Sequence, residues 1–212
     1  MLPVSKLTQL SKEVKAGNKL LEGVSLTEKE LEILTNAGYF DAVVKPEING
    51  EVLGKKASGA VDDIIKDGSH LNDGKLKPNT KYQTGEHGYN YQTNSNGVIE
   101  HASTDNLQFK THEGRLPHNP KTPDKLSGDH AGHLFGDRFG GSGDLDNLVS
   151  QAQKVNLSSY KKLENTWAKA IEQGKKVIVD IHVNYDSGSL RPVSFDVIYT
   201  IDGIDFYEFI HN

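Results

Sequence analysis

The segment from Asn156 to Gln173 constrains the fold more than any other part of the chain, because its apolar residues recur at helical spacing. Such a stripe is typical of an amphipathic helix that buries one side. Gly174 follows directly and is a typical residue after a helix C terminus. The pattern therefore predicts one long helix packed against a second layer. The stripe consists of Tyr160, Leu163, Trp167 and Ile171.

The residues after this helix are rich in β-branched and aromatic side chains, which favours strands. Turn residues at Asp186–Gly188 and Asp202–Gly203 divide them into three runs. A helix followed by consecutive, closely connected strands predicts an α+β fold with an antiparallel sheet that carries the helix on one face. The predicted strands include Val177–Ile181, Val193–Val197 and Ile204–Phe209.

A hairpin is predicted upstream of the helix. Tyr89, Tyr91 and Thr93 alternate before the turn Asn94–Gly97, and apolar residues resume at 98–99. We interpret residues 73–84 as a connector and residues 113–127, which are rich in Pro, Gly and Lys, as a loop. A glycine-rich loop at 136–143 is expected to cover the functional site.

Residues 1–72 have the pattern of short helices with little apolar surface for a core of their own. Thr27 and Glu30 match a capping box, and Val61, Ile64 and Ile65 indicate a further short helix. We therefore predict an N-terminal helical extension or linker over 1–72, and a main domain over 73–212.

Composition narrows the function classes. The chain has 212 residues and a net charge of -5, which disfavours binding of nucleic acid by bulk charge alone. It has no cysteine, so a thiol nucleophile, a Cys-bound zinc and a disulfide framework are excluded. It contains no apolar run of signal-peptide or membrane-spanning length. We expect a soluble chain whose export would need a signal outside it.

The stretch Gly128–Leu134, which reads Gly-Asp-His-Ala-Gly-His-Leu, contains the candidate base, His133. A positioned imidazole can take a proton from an attacking water. A lone histidine is more often a surface or satisfied core residue. His130 and His133 can also be interpreted as two metal ligands, although the zinc pattern His-Glu-x-x-His is absent.

Four polar residues follow at steps of four, five and eight, and each has an ordinary structural interpretation beside the functional one. Asn156 can cap the long helix or bind a metal from its buried side. Glu164 can be an exposed helix glutamate or reach the water shell of that metal, since it lies about 80° round the helix from Asn156. Asn147 and Gln151 can be loop-to-helix hydrogen-bonding residues.

Taken together, these residues resemble the DNA/RNA non-specific endonuclease family with its ββα-metal (His-Me finger) site. That family has Asp-Arg-Gly-His followed by Asn, Gln, Asn, an aromatic residue and Glu at this spacing. The chain is most similar to the bacterial secreted polymorphic-toxin branch, including the C-terminal domains of staphylococcal type VII-secreted nuclease toxins. The matching segments are Asp129–Leu134 and Arg138–Gly141, and the resemblance covers roughly residues 75–212.

The resemblance implies that His133 is the general base, that Asn156 is the direct Mg²⁺ ligand and that Glu164 is a carboxylate acting through the metal's waters. It implies supporting roles for Asn147 and Gln151. One ion is expected, for which Mn²⁺ can substitute. The family arginine is replaced by Ala131 here, so another cation must bind phosphate. Our candidates are Arg138 first and Arg115 second.

The predicted function is magnesium-dependent, sequence-non-specific cleavage of double-stranded DNA, with RNA as a lower-ranked substrate. The resemblance further implies a secreted antibacterial toxin that acts in the cytoplasm of the target cell, and an immunity protein that protects the producer. The alternative is a catalytically decayed nuclease fold that acts by binding a protein partner.

Overall fold

The computed structural model describes residues 64–212, together with a two-residue strand, β1, at Leu26–Thr27. The chain divides into two compact units, Met1–Asp62 and Asp63–Asn212, whereas our predicted boundary fell after residue 72. Thr27, the predicted helix cap, lies in β1, and the helices predicted around it lie outside the described residues.

Two predictions at the start of this unit are wrong. Ile65 forms an isolated bridge with Tyr82 instead of a helical turn, and its amide donates to the Lys81 carbonyl at 3.0 Å. The predicted connector over 73–84 contains two short strands, β3 (Lys75–Leu76) and β4 (Lys81–Thr84). Segments of two to four residues are too short for periodicity to separate strand from helix or loop. The position of β4 instead depends on burial of Tyr82 in the core.

The described residues form ten further strands. They are β2 (Leu71–Asn72), β3 (Lys75–Leu76), β4 (Lys81–Thr84), β5 (Tyr89–Thr93), β6 (Ile99–Thr104), β7 (Asp129–His133), β8 (Leu148–Ala152), β9 (Val177–Tyr185), β10 (Pro192–Ile201) and β11 (Ile204–His211). Six of them make the main sheet in the order β11-β10-β9-β6-β5-β4. Every neighbouring pair in that order is antiparallel. The predicted hairpin and the three predicted C-terminal strands are confirmed.

The long helix is also confirmed, with a different beginning. Helical backbone starts at 153, passes through a π-helical turn at Val155–Ser159 and continues as α1, Tyr160–Glu172. The buried face of α1 packs on the sheet through edge-to-face ring contacts, Tyr160 with Phe195 and Trp167 with Tyr199. Burial of these aromatic side chains supplies much of the core's stabilisation.

A second, two-stranded ladder precedes the helix. β7 and β8 are antiparallel, with Asp129 opposite Ala152 and His133 opposite Leu148. Neither strand was predicted from the sequence, and β7 in particular contains glycine and histidine but no β-branched residue. The connection between them contains a short 3₁₀ helix at Asp137–Phe139. Two strands followed by a helix thus form a ββα unit against the main sheet. Among the described residues, no helix has the length and apolar character needed to cross a membrane.

Candidate active site

His133 ends strand β7 and faces an open cleft of about 640 Å³. The next two residues, Leu134 and Phe135, are fully buried and anchor the strand end. Tyr160 of α1 donates its hydroxyl to the Leu134 carbonyl at 2.9 Å. The backbone directly after His133 is therefore fixed against the helix.

Burial is the main cause that lowers the pKa of His133 from 6.5 to about 4, and the neighbouring His118 and Arg115 contribute to this shift. The imidazole is consequently neutral at pH 7. A neutral imidazole can accept a proton, as a general base must.

Asn147 does not enter the cleft. Its side chain is fully buried and forms hydrogen bonds with the backbone after His133. The Oδ1 atom accepts from the Phe135 amide at 3.0 Å and from the Tyr91 hydroxyl at 2.8 Å, and the Nδ2 atom donates to the Phe135 carbonyl at 2.9 Å. Asn147 therefore fixes the backbone that follows His133.

Gln151 is also fully buried and lies behind the strand rather than in the cleft. It packs against Gly132, where an added Cβ would stand 2.7 Å from the Gln151 Cβ and overlap its Oε1. Gly132 is required before His133 because Gln151 occupies the space that a side chain would need. Neither amide atom of Gln151 has a hydrogen-bond partner within the described part of the chain.

Asn156 lies on the opposite wall of the cleft, within the π-helical turn. The helix starts before it, so the N-cap interpretation of Asn156 is wrong. A π turn contains more residues per turn than an α turn, so each residue advances by a smaller angle. The turn therefore narrows the separation of about 80° expected between Asn156 and Glu164 on a regular α-helix. Both side chains line the cleft.

The Asn156 side chain is oriented by His130. Its Nδ2 atom lies 2.9 Å from the His130 Nδ1 atom. An amide nitrogen can only donate, so this Nδ1 must accept and the His130 proton sits on Nε2. The contact leaves the Asn156 Oδ1 as the atom of this side chain that can bind a cation. The same hydrogen bond engages the His130 Nδ1, so this atom is not available as a metal ligand in the hypothesis that His130 and His133 bind a metal together.

Glu164 of α1 lies across from Gly136, whose amide hydrogen-bonds its carboxylate. Burial raises the pKa of Glu164 from 4.5 to about 7, and Arg138 and Arg115 partly offset this effect. A buried carboxylate of this kind is costly when ionised unless a cation neutralises it. Glu164 therefore marks a position where a bound cation would be stabilised.

The cleft has a local surplus of positive charge although the chain is acidic overall. Both predicted phosphate ligands line it, and the Arg138 Nη1 donates to the Asn165 Oδ1 at 2.8 Å. Two of the acidic side chains there are already neutralised, Asp129 by Arg191 at 2.8 Å and Asp137 by Lys110 at 2.7 Å. Three further basic or imidazole side chains of the cleft carry no motif signal and were not predicted from the sequence, namely His118, Lys125 and Lys161.

Replacement of Glu164 by glutamine should stabilise the metal-free protein at alkaline pH. Between pH 4.5 and about 7, the folded chain keeps a proton on Glu164 that the unfolded chain has lost, so wild-type stability falls as pH rises through this window. In EDTA we expect Glu164→Gln to raise the free energy of unfolding by on the order of 1–3 kcal/mol near pH 8, after allowance for partial exposure. Urea unfolding curves near pH 4 and pH 8 measure this difference.

The matched control is Glu172→Gln, which alters an exposed glutamate at the end of the same helix. It should give no pH-dependent gain. An equal effect of Glu164→Gln at both pH values would contradict the assigned cause.

Residues 78–203 match the family model described as DNA/RNA non-specific endonuclease. The type VII secretion system protein EssD of Staphylococcus aureus strain USA300 is 38% identical over 138 residues, which are 61% of this chain and 22% of that protein. The protein of the same name from strain NCTC 8325 / PS 47 gives the same values. The chain thus spans about a fifth of the length of these curated relatives.

Among solved structures, the Sda1 nuclease with bound zinc ion is 21% identical to this chain. The superposition covers 40% of this chain and 39% of that one, with a TM-score of 0.37.

Proposed function

The chain belongs to the DNA/RNA non-specific endonuclease family, and from this we propose that it hydrolyses phosphodiester bonds of double-stranded DNA, with one Mg²⁺ ion and without sequence preference. The observation that carries the proposal is the convergence of His133, Asn156 and Glu164 on one cleft, from a strand end and a helix. The resemblance found in the sequence is confirmed at the level of the family by the match over residues 78–203.

In this proposal His133 acts as the general base. Its neutral imidazole accepts the proton of the attacking water, which makes the water a better nucleophile. The hydrogen bonds of Asn147 and Tyr160 fix the backbone directly after His133, and this would keep the ring in position beside the attacking water. Fixed geometry of this kind supports catalysis because misplacement of a reacting group by about 1 Å can cost about 10²-fold in rate.

The donors in the cleft fit Mg²⁺. The amide oxygen of Asn156 and the carboxylate of Glu164 are the oxygen ligands that this ion prefers, and Mg²⁺ needs few protein ligands because it keeps several waters. When bound, the ion would act as a Lewis acid on the phosphoryl group and would orient the leaving oxygen. Asn156 would hold it directly, and Glu164 would accept hydrogen bonds from its waters.

Arg138 and Arg115 would bind the phosphates on either side of the scissile bond. The guanidinium of Arg138 is supported by Asn165 and lies over the Phe139 ring, with 5.5 Å from Cζ to the ring centre. Contacts with phosphate oxygens position a nucleic acid but do not read its bases. Cleavage without sequence preference follows from such contacts.

Plasmid cleavage tests the proposal. The chain should nick and then degrade supercoiled DNA in Mg²⁺, and EDTA should stop the reaction. Matched DNA and RNA duplexes would rank the two substrates. Full activity in EDTA would contradict the metal requirement. No cleavage with any of several divalent ions, together with tight binding of a protein, would favour the decayed-nuclease alternative.

A methyl group at Gly136 should disable the site without unfolding the chain. The backbone there, at φ -62° and ψ 158°, is accessible to alanine. An added Cβ would overlap the Glu164 Oε1, so the flexible carboxylate must move away. We expect Gly136→Ala to lower the cleavage rate by about 10–100-fold, the usual effect of losing an outer partner of a metal site.

A double-mutant cycle with Glu164→Ala tests this explanation. Once the carboxylate is absent, Gly136→Ala should cause little further loss, because the two substitutions act through the same group. Additive losses would show that Gly136 acts in another way.

We further propose that the chain is the nuclease part of a bacterial toxin exported by a type VII system. The support is its similarity to the staphylococcal EssD proteins, whose name refers to that system. The nuclease would act in the cytoplasm of the target cell, and an immunity protein would protect the producer. Co-expression with a gene next to the toxin gene should restore growth if that gene encodes the immunity protein. Absence of any growth defect on expression of the chain alone would contradict the toxin proposal.

A further inference from the structure

A second group of metal-binding side chains lies outside the cleft, on the main sheet. His101 of β6 and two residues of β9, Asp180 and His182, converge there. The Nε2 atom of His101 is 3.0 Å from the Asp180 Oδ2, and the Nε2 atom of His182 is 3.0 Å from the Asp180 Oδ1. The three side chains are 29%, 39% and 53% exposed for His101, Asp180 and His182 respectively.

This cluster faces away from the catalytic helix. Successive residues of a strand point to opposite faces of a sheet, and the neighbours Ala102 and Ile181 are fully buried in the core that contains α1. His101, Asp180 and His182 therefore occupy the outer face. Their chemistry is independent of the cleft around His133.

The donor set suits a transition metal. Two imidazole nitrogens and one carboxylate oxygen are typical ligands of Zn²⁺, Co²⁺ or Ni²⁺, whereas Mg²⁺ prefers oxygen alone. Donor atoms at about 2.0–2.2 Å from a common ion are themselves about 3 Å apart, as the nitrogens and carboxylate oxygens are here. Within residues 64–212, this is the one group of three such side chains whose donor atoms all lie within 4.8 Å.

The surroundings add negative charge. Asp196 lies opposite His182 on β10, and its carboxylate accepts hydrogen bonds from Asn184 and from the Tyr207 hydroxyl. The Asp196 carboxylate is thus engaged in these hydrogen bonds, and its charge contributes to a potential that attracts cations.

The cluster also lies where the two halves of the main sheet join. β6 and β9 join the strands that precede the ββα unit to those that follow it, and only four residue pairs connect them, from His101–His182 to Thr104–Val179. The ladder between β9 and β10 contains nine pairs. An ion held by His101, Asp180 and His182 would close a long loop of chain at the end of this short ladder, where cross-linking restricts the unfolded chain most.

We propose that His101, Asp180 and His182 form a binding site for one transition-metal ion of the Zn²⁺ class. The bound ion cross-links β6 to β9 and stabilises the fold.

Zinc titration by calorimetry tests this site in the full chain without an affinity tag. A His133→Ala/Asn156→Ala background removes ligands of the cleft, so that the sheet site can be observed separately. One equivalent of Zn²⁺ should bind, and Co²⁺ should give visible absorption bands from nitrogen and oxygen ligands. At 100-fold excess over the dissociation constant, the melting temperature should rise by about 5–10 °C.

In the same background we expect zinc binding to weaken by at least about tenfold in each of three variants, His101→Ala, His182→Ala and Asp180→Asn. Loss of a group that only hydrogen-bonds to a metal ligand already lowers metal affinity by about 10–100-fold. The melting temperatures of these variants in EDTA serve as a check on folding. His211→Ala, which removes an exposed histidine of β11, is the matched control and should bind zinc normally. Absence of zinc binding, or an affinity in the three ligand variants equal to that of the parent protein, would overturn the proposal.

Discussion

The His133→Ala variant is expected to fold normally and to cleave DNA about 10²–10⁴-fold more slowly, which is the usual contribution of a general base. The loss should appear in kcat rather than in KM, because His133 acts on the water and not on substrate binding. Single-turnover cleavage of a labelled duplex in saturating Mg²⁺ measures the chemical step. The melting temperature should change little, since the side chain is removed from the wall of an open cleft.

His118→Ala is the matched control for this variant. Its ring centre lies 5.9 Å from that of His133, and it is exposed in the same cleft. We expect only a small change in rate from this substitution. A comparable loss in both variants would mean that the cleft as a whole, rather than one imidazole, limits the reaction.

The Asn156→Ala variant is expected to lose more than about 100-fold in activity at moderate Mg²⁺, because removal of the ligand itself should exceed the 10–100-fold cost of losing an outer partner. Raising the Mg²⁺ concentration should recover part of the rate, which would not occur for His133→Ala. Mn²⁺ binding followed by electron paramagnetic resonance gives the ion's affinity without reference to activity.

Two further variants distinguish ligation from folding at this position. Asn156→Asp retains an oxygen ligand and should bind the ion. His130→Ala leaves Asn156 in place but removes the acceptor that fixes its Nδ2 at 2.9 Å, so it should weaken Mn²⁺ binding by about 10–100-fold. Unchanged Mn²⁺ affinity in Asn156→Ala would exclude this residue as the ligand.

The parts of the fold that the sequence predicted correctly are long and strongly periodic. The stripe around Trp167 continues over several helical turns, and the strands from Val177 onwards contain enough alternating residues to be recognised. The errors are in short segments. Tyr82 lies in a strand of four residues and pairs with Ile65 through an isolated bridge, and β7 is built from a glycine- and histidine-containing motif.

For the candidate site, too, the sequence predicted one part correctly and left another part undetermined. Spacing indicated that His133, Asn147, Gln151, Asn156 and Glu164 belong together, but spacing carries no information on burial. The structure separates them into cleft residues and two buried amides, Asn147 behind the histidine and Gln151 beneath Gly132. The opposed pKa values of His133 and Glu164 likewise depend on desolvation, which only packing determines.

The sequence by itself determined the family, the helix after the motif and the identity of the candidate base, because these depend on residue types at short separations. Only the tertiary structure decided the π-helical turn that brings Asn156 towards Glu164, the support of Asn156 by His130, and the cationic lining of the cleft. It alone revealed the cluster of His101 with Asp180 and His182. Those contacts join residues that are far apart along the chain, and strand pairing and side-chain packing, rather than local propensity, bring them together.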